Sequence, residues 1–448
     1  MNNGFLWLKA NAKVNLLLDV LNKRPDGYHE LEGVMQSVSL CDNVYLRRGR
    51  TVSVASSAPL PENNTLRRAA EAFFAGSREG AEIFVEKLIP SEAGLGGASA
   101  DAAAVLRGLN LLYKSTELER THDELMALAL SVGADVPFCI DGGCAIARGV
   151  GEKLTPLPSP DLTLLIVKGS RGVSTGRLFA SLGVGGEKKS RLTEGALERA
   201  VTAIREDDAY GLAASVGNAL QPAAEAVVPE IGELVGRMKD SGALGASMTG
   251  SGAAVFGIFE SEKSAKNALP LFEDCEFAAV CTSVPDEGEC AYFRAAVPGD
   301  GDLIARLKKA AWETTYRGIY PDELIDGFDP VDRSRRAEAM IESPEMLNYV
   351  IECGGEPAGF VHLKNGSEVY LTALYLLKEY RGTGVGSAVF GAIRRLCRER
   401  GISSFTCHCN AHNAPALAFY GRMGGVEISR SVGHENRRED QIELRFEV

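Results

Sequence analysis

The chain has 448 residues, 45% of them hydrophobic and 24% charged. That balance excludes a disordered chain, and the length calls for two or three domains. A net charge of −12 argues against nucleic acid as the main partner, although a local loop with a lysine can still bind phosphate. Ten cysteines over this length do not make a disulfide framework, so thiols in a reducing cytoplasm are expected. Val14 to Leu21 is apolar, but Asn15 and Asp19 interrupt it and no cleavage site follows. No apolar run approaches the roughly 20 residues of a membrane span, so a soluble cytoplasmic protein with no membrane partner is expected.

Strand patterns cover Lys13–Val20, Val34–Val38, Val44–Leu46 and Val52–Ala55. Asn63-Asn64-Thr65 caps a helix through Leu66–Phe74, and Ala81–Glu86 alternates as a strand. Gly94-Leu95-Gly96-Gly97-Ala98-Ser99 then opens a helix carrying Val105, Leu106, Leu109 and Leu112. A helix over Asp123–Ser131 ends at Gly133, which is expected as its C-cap, and Pro137 is expected to hold extended backbone before it. Leu162–Val167 reads as a buried strand, 183–190 as a surface loop, and helices dominate to Asp240. The turn Thr249-Gly250-Ser251-Gly252 feeds a strand over Ala253–Phe259, and Asp286-Glu287-Gly288-Glu289 is the expected domain boundary. Beyond it follow a strand (Ala291–Ala296), a helix pair and further strands. A second glycine loop, Arg381-Gly382-Thr383-Gly384-Val385-Gly386, leads into a helix over Ala388–Arg400, a strand and a last helix from Asn413.

Each glycine loop presents backbone N–H groups where a helix begins, which suits an anion. Neither is a Gly-Lys-Ser/Thr phosphate loop, which disfavours the P-loop fold. Around the first, Lys13 and Asp135 supply the cation and carboxylate that phosphoryl transfer to an alcohol requires, if the fold brings them together.

Pro90 to Ala103 and Ser247 to Phe256 resemble the phosphate loop and C-terminal glycine motif of the GHMP kinases. Ala12-Lys13-Val14-Asn15-Leu16 and Arg24-Pro25-Asp26-Gly27-Tyr28-His29 narrow the resemblance, over roughly residues 5–285, to the kinases of 4-diphosphocytidyl-2-C-methyl-D-erythritol in non-mevalonate isoprenoid synthesis. The resemblance implies an α+β, two-lobed kinase with lobes at 1–160 and 161–288. Lys13 and Asp135 would be its catalytic pair, with no covalent phospho-enzyme. Tyr28, His29 and Phe179 would hold the cytosine, with Thr175 and Asn15 also on the substrate. Pro90, Gly94, Leu95, Gly96, Gly97, Ala98, Ser99, Gly250 and Gly252 would bind ATP, with Mg²⁺ assisting. Ala98 stands where the family usually has glycine, which would strain the loop if φ there is positive. The Asp26 to His29 segment argues against homoserine, mevalonate or a sugar as the alcohol.

Arg381 to Gly386, with Asn413 and Phe419-Tyr420, resembles the GNAT acetyltransferases over roughly 292–446, implying a mixed-sheet α/β domain at 292–448. Arg381, Gly382, Gly384, Gly386 and Asn413 would bind acetyl-CoA, and Tyr420 would protonate the leaving thiolate; the amine acceptor is not legible. Gly424-Gly425 replaces the family's Gly-Phe, which would loosen a contact. Trp312, Tyr316 and Tyr320 read as core and rim. Cys407-His408-Cys409 with His412 has no standard zinc spacing, and no metal site is expected. An alternative class is a non-catalytic acetyl-CoA sensor that regulates the kinase. Oligomeric state is not legible.

Overall fold

The computed structural model describes residues 4–24, 27–181, 192–286, 288 and 290–448. Pro25 and Asp26, the loop expected at 183–190, and Glu287 and Glu289 of the expected boundary lie outside the described residues. The chain divides into two compact units, Leu8–Gly288 and Glu289–Val448 with the first seven residues. No described helix is long and apolar enough to cross a membrane.

In the Leu8–Gly288 unit, the long strands Phe5–Lys23 and His29–Gly49 head a sheet continued by Gly80–Glu86 and Ser53–Ser56, with Cys144–Gly149 and Lys153–Leu157 branching from it. A second sheet orders Phe277–Thr282, Thr163–Lys168, Val255–Phe259 and Gly245–Met248, all antiparallel. The unbroken apolar run of Thr163–Lys168 follows from burial on both faces. Leu164 and Ile166 point into one core with Phe256 and Ile258, while Leu165 and Val167 point into another with Val255 and Phe259. A strand wet on one face would have alternated polar residues there.

The helix Thr65–Phe73 is capped as expected, the Asn64 side chain accepting from Arg67 N. One local expectation holds with a different backbone, and another is corrected. Gly133 does end the helix His122–Val132, but with φ −179°, extended backbone open to any residue rather than a left-handed cap. Pro137 does not force extended backbone before it: Val136–Asp141 is a helix with this proline in its first turn. A first-turn N–H has no helical acceptor, so proline loses nothing there and its fixed φ suits the helix.

Beneath the helix Gly97–Leu112, the buried carboxyl groups of Asp42 and Asp101 share the half-buried Lys87. Lys87 Nζ donates to Asp101 Oδ2 at 2.7 Å and to Asp42, while Asp42 Oδ1 accepts from Leu88 N and Ile89 N at 2.5 and 2.8 Å. The two carboxylates are 1% exposed or less, and Asp101 Oδ1 has no hydrogen-bond partner among the described residues. The cluster ties the loop Lys87–Ile89 to the helix that follows it.

The second unit is a sheet with strand order Val426–Ser431, Gln441–Glu447, Ser404–Asn410, Val369–Leu376, Glu356–Asn365, Met346–Cys353 and Cys290–Ala295. Its pairings are antiparallel except that of Val369–Leu371 with Phe405–Cys407, which is parallel and ends there. The helices Gly301–Thr315 and Pro330–Glu342 bury Ile304, Leu307 and Ala337 against Val350 and Phe360 of this sheet.

Burial first, and then the neighbouring Asp42, push the Asp101 carboxyl up to about 8 against the pull of Lys87. The folded chain therefore holds a proton that the unfolded chain has released. The resulting stability is complete below about pH 4 and is lost as the pH rises through about 8. Urea unfolding should thus show a weaker Leu8–Gly288 unit at about pH 8.5 than at about pH 5, and Asp101→Asn should flatten that slope. Equal slopes in the two proteins would refute the buried proton.

Candidate active site

The first glycine loop is held by the second glycine turn of the same unit. Ala253 N and Ala254 N donate to Glu92 O and Ala93 O, each at 3.1 Å. Gly94 has φ +72°, and a Cβ on it would lie 2.1 Å from Thr249 O; one on Gly250 would lie 2.6 Å from Gly94 O. Only glycine lets the two backbones approach this closely. Asn218 Nδ2 donates to Met248 O and Gly250 O at 2.9 and 2.8 Å, so the turn is braced from behind.

Past Gly94 the loop enters the helix Gly97–Leu112. Gly96 is its N-cap, with φ +71° and no capping side chain, so the first-turn amides open toward the cavity beside them. Ala98 lies inside the helix, outside the positive-φ residues, so the strain expected of it is absent.

The strand Phe5–Lys23 delivers Lys13 to this helix end. Lys13 N donates to Leu95 O at 2.9 Å, and a Cβ on Gly96 would lie 2.9 Å from Lys13 Cγ. The Lys13 ammonium, nearly buried, donates to Asn15 Oδ1 at 2.6 Å and stands 3.5 Å from Asp135 Oδ2. Asn15 N in turn donates to Thr249 Oγ1 at 2.9 Å. Asp135 begins the helix Val136–Asp141 without capping it, which leaves its carboxylate to Lys13.

These residues line a cavity of about 1220 Å³ that also takes in Pro90, Gly94 to Ser99, Thr175, Phe179, Gly250 and Gly252. At its edge the His29 and Phe179 rings lie 5.1 Å apart, tilted by 33°, while Tyr28 is 65% exposed beside them. Thr175 Oγ1 and Ser251 Oγ, 2.7 Å apart, link the segment before Phe179 to the second glycine turn. The cleft therefore joins an uncapped helix end, a cation–carboxylate pair and an aromatic slot. Asn218, Thr249 and the Asp42–Lys87–Asp101 cluster were not foreseen as supports. Their only sequence signal is a polar residue among apolar neighbours, which does not say what it braces.

In the second unit, Arg381 donates from Nε to Leu376 O at 3.0 Å and from Nη2 to Thr314 Oγ1 at 2.8 Å. Gly382 and Gly384 have φ +84° and +103°, and Gly384 caps the helix Val385–Glu399 without a side-chain bond. A Cβ on Gly386 would lie 3.1 Å from Phe419 Cζ, so that glycine admits the helix Ala414–Arg422. Asn413 spends its side-chain oxygen on capping that helix, accepting from Ala416 N at 3.2 Å. Burial above all, then Cys407, Cys409 and Tyr375, raise the Tyr420 hydroxyl well above the ordinary phenol range, so it keeps its proton.

The loose contact expected at Gly424-Gly425 is not there: a Cβ on Gly425 would lie 2.7 Å from Phe446 Cε1, so Phe446 fills the space. Trp312, Tyr316 and Tyr320 form a small buried core with Ile325 and Phe328. In the Cys-His-Cys segment, His408 Nδ1 meets Tyr370 Oη at 2.7 Å and His412 Nε2 meets Asp440 Oδ2 at 2.7 Å. Burial pushes the Cys407 and Cys409 thiols up to about 12.

The GHMP kinases N terminal domain matches residues 64–143, the GHMP kinases C terminal domain residues 196–270, and the Acetyltransferase (GNAT) family residues 309–425. The 4-diphosphocytidyl-2-C-methyl-D-erythritol kinase of Pelotomaculum thermopropionicum is 44% identical over 271 residues, 59% of this chain and 92% of the relative. That of Desulfitobacterium hafniense is 41% identical over 285 residues, covering 62% and 96%. A crystal structure of 4-(cytidine 5'-diphospho)-2C-methyl-D-erythritol kinase superposes with TM-score 0.53 at 34% identity, covering 62% of this chain and 98% of that one. Homoserine kinase from Cytophaga hutchinsonii, at 20% identity and TM-score 0.51, shares the fold.

The contact between the glycine turns is open to a direct test. Gly94→Ala should cost about 2 kcal/mol or more through positive φ and the clash with Thr249 O. Gly176→Ala, whose Cβ would meet nothing within 4 Å, should stay within about 0.5 kcal/mol in the same denaturant midpoint measurement.

Proposed function

Because the chain belongs to the family of 4-diphosphocytidyl-2-C-methyl-D-erythritol kinases and carries a GNAT domain after the kinase, we propose that it performs that phosphorylation in isoprenoid-precursor synthesis. The kinase lobes are assigned to 1–160 and 161–288, and the acetyltransferase to 292–448. The observation that carries the kinase reading is the Lys13–Asp135 pair, 3.5 Å apart, at the open end of the Gly97–Leu112 helix.

In this reading the cytidyl ring lies with Tyr28, His29 and Phe179, which directs the erythritol end toward Asn15, Lys13 and Asp135. ATP lies along the glycine loops, its phosphates on the amides after Gly96. The 2-hydroxyl oxygen attacks the γ-phosphorus in line, Asp135 takes the hydroxyl proton, and ADP leaves. Lys13 balances charge on the transferring group, and Asn15 holds its ammonium in place by the 2.6 Å hydrogen bond. Among the described residues no three His, Cys, Asp or Glu side chains converge as a metal cage. Ser99 at the helix start would help to hold a Mg²⁺ ion that accompanies the nucleotide, and that ion would supply charge neutralisation.

We assign acetyl-CoA to the second glycine loop, its pyrophosphate on the amides of Gly382 to Gly386, and acetyl transfer to an amine with Tyr420 protonating the departing thiolate.

Purified full-length chain with ATP and the cytidyl alcohol should form ADP and the 2-phosphate; no turnover would end the kinase reading. Asp135→Asn should lower kcat by about 10²- to 10⁴-fold with the KM for ATP little changed. Phe179→Ala should raise the KM for the cytidyl alcohol by about tenfold through lost stacking. Ala98→Gly should leave the KM for ATP within about twofold, since the helical backbone there does not ask for glycine. If acetyl-CoA alters the kinase rate while Tyr420→Phe alters no acetylation, the sensor reading replaces the transferase.

A further inference from the structure

Three cations gather over one indole in the acetyltransferase unit. Lys308 Nζ lies 5.6 Å from the Trp312 ring centroid, the Arg333 guanidinium 5.5 Å and the Arg438 guanidinium 5.9 Å. They come from separate elements, the helices Gly301–Thr315 and Pro330–Glu342 and the segment before Gln441–Glu447. Among the described residues none of the three forms an ion pair. Asp332, the acid nearest in effect to Arg333, is taken up by Arg335 and Arg336 at 2.9 and 2.7 Å. Burial first, then Arg333, Arg438 and Arg336, hold the Lys308 ammonium down to about 8. Like charges so gathered repel unless an anion completes them.

The cluster also lies next to the transfer chemistry. Trp312 Nε1 donates to Tyr375 Oη at 3.2 Å. The Tyr375 hydroxyl is within electrostatic reach of Arg438 and Arg333, and also of Tyr420. Edge-on contacts of Tyr316, Tyr320 and Phe328 with Trp312, at 5.7 to 5.8 Å, fix the indole as a floor.

We propose that the acetyl acceptor is an amine that also carries an anionic group, a carboxylate or phosphate, held by Lys308, Arg333 and Arg438 above Trp312. This deepens the acetyltransferase reading and rests on it. In the step, the neutral amine nitrogen attacks the thioester carbonyl carbon; the C–N bond forms and the C–S bond breaks. The sulfur leaves with the electron pair and takes the Tyr420 proton, and the proton lost by the amide nitrogen restores Tyr420. The products are the N-acetyl anion and free CoA thiol.

The test keeps one aminoethyl body and changes only its far end: β-alanine, O-phosphoethanolamine, ethanolamine and ethylenediamine, each with full-length chain and acetyl-CoA, followed by thiol release. One or both anionic amines should show kcat/KM at least about tenfold above ethanolamine and ethylenediamine, and Arg333→Glu should invert that order. Which of the two is preferred identifies the anion. In parallel, calorimetric titration with each amine reports binding without turnover. Equal or better acetylation of ethanolamine or ethylenediamine overturns the proposal and leaves the transferase standing. Binding of an anionic amine that weakens about tenfold in Arg333→Gln, without acetylation of any amine, upholds the anion site and overturns the transferase reading. No binding of the anionic amines together with no acetylation of any of the four overturns both.

Discussion

The contact between Gly94 and the turn Thr249–Gly252 is the constraint on which the first site depends. It is a backbone-to-backbone approach with no room for a Cβ on either side. Through it, the loop that opens the Gly97–Leu112 helix is fixed to the second sheet, and Asn15 is fixed by Thr249 Oγ1 to the same turn. Lys13, two residues from Asn15 and bonded by its own N–H to Leu95 O, is therefore set by both glycine turns at once. The position of the cation relative to Asp135 is a consequence of main-chain packing, with little left to side-chain choice. Such positioning costs its reorganisation during folding, before any substrate arrives.

Beneath this contact lies a charge arrangement of the opposite kind. Asp42, Lys87 and Asp101 are held in low dielectric, where a lone carboxylate would be expensive. One ammonium shared by two acids leaves an excess negative charge, and a retained proton on Asp101 removes it. The cluster then acts as a neutral strut that binds the loop at Lys87–Ile89 to the helix, while the exposed end of that helix keeps its positive character for an anion.

How much of this was legible follows the range of the interaction. The helix Thr65–Phe73, the buried strand Thr163–Lys168 and the glycine loops were read directly, because cap residues, apolar runs and glycines act within a few neighbours. Lys13 and Asp135 could be named from motif resemblance, but their 3.5 Å separation depends on a fold that joins remote segments. Val136–Asp141 was misread because proline before a strand and proline in the first turn of a helix look alike until the downstream residues choose. The suspicion about Ala98 failed for a related reason. The left-handed residue needed at the helix entry is Gly96, two positions earlier, so the alanine already has a helical backbone. At Gly425 a motif comparison along the chain could not see that Phe446, from the last strand, supplies the missing ring.

The Trp312 cluster shows why net charge says little about a particular site. The chain carries twelve more acids than bases, yet Lys308, Arg333 and Arg438 share one indole with no carboxylate between them. Acids are available nearby in sequence: Asp332 adjoins Arg333, and Glu439 and Asp440 follow Arg438. Asp332 is turned to Arg335 and Arg336, and Asp440 is taken by His412 and His434. Two of these three acids are thus engaged elsewhere by a specific bond. An arrangement that spends its acids on other partners keeps a positive field over an aromatic floor, and a field of that sign discriminates ligands by charge before it contributes affinity.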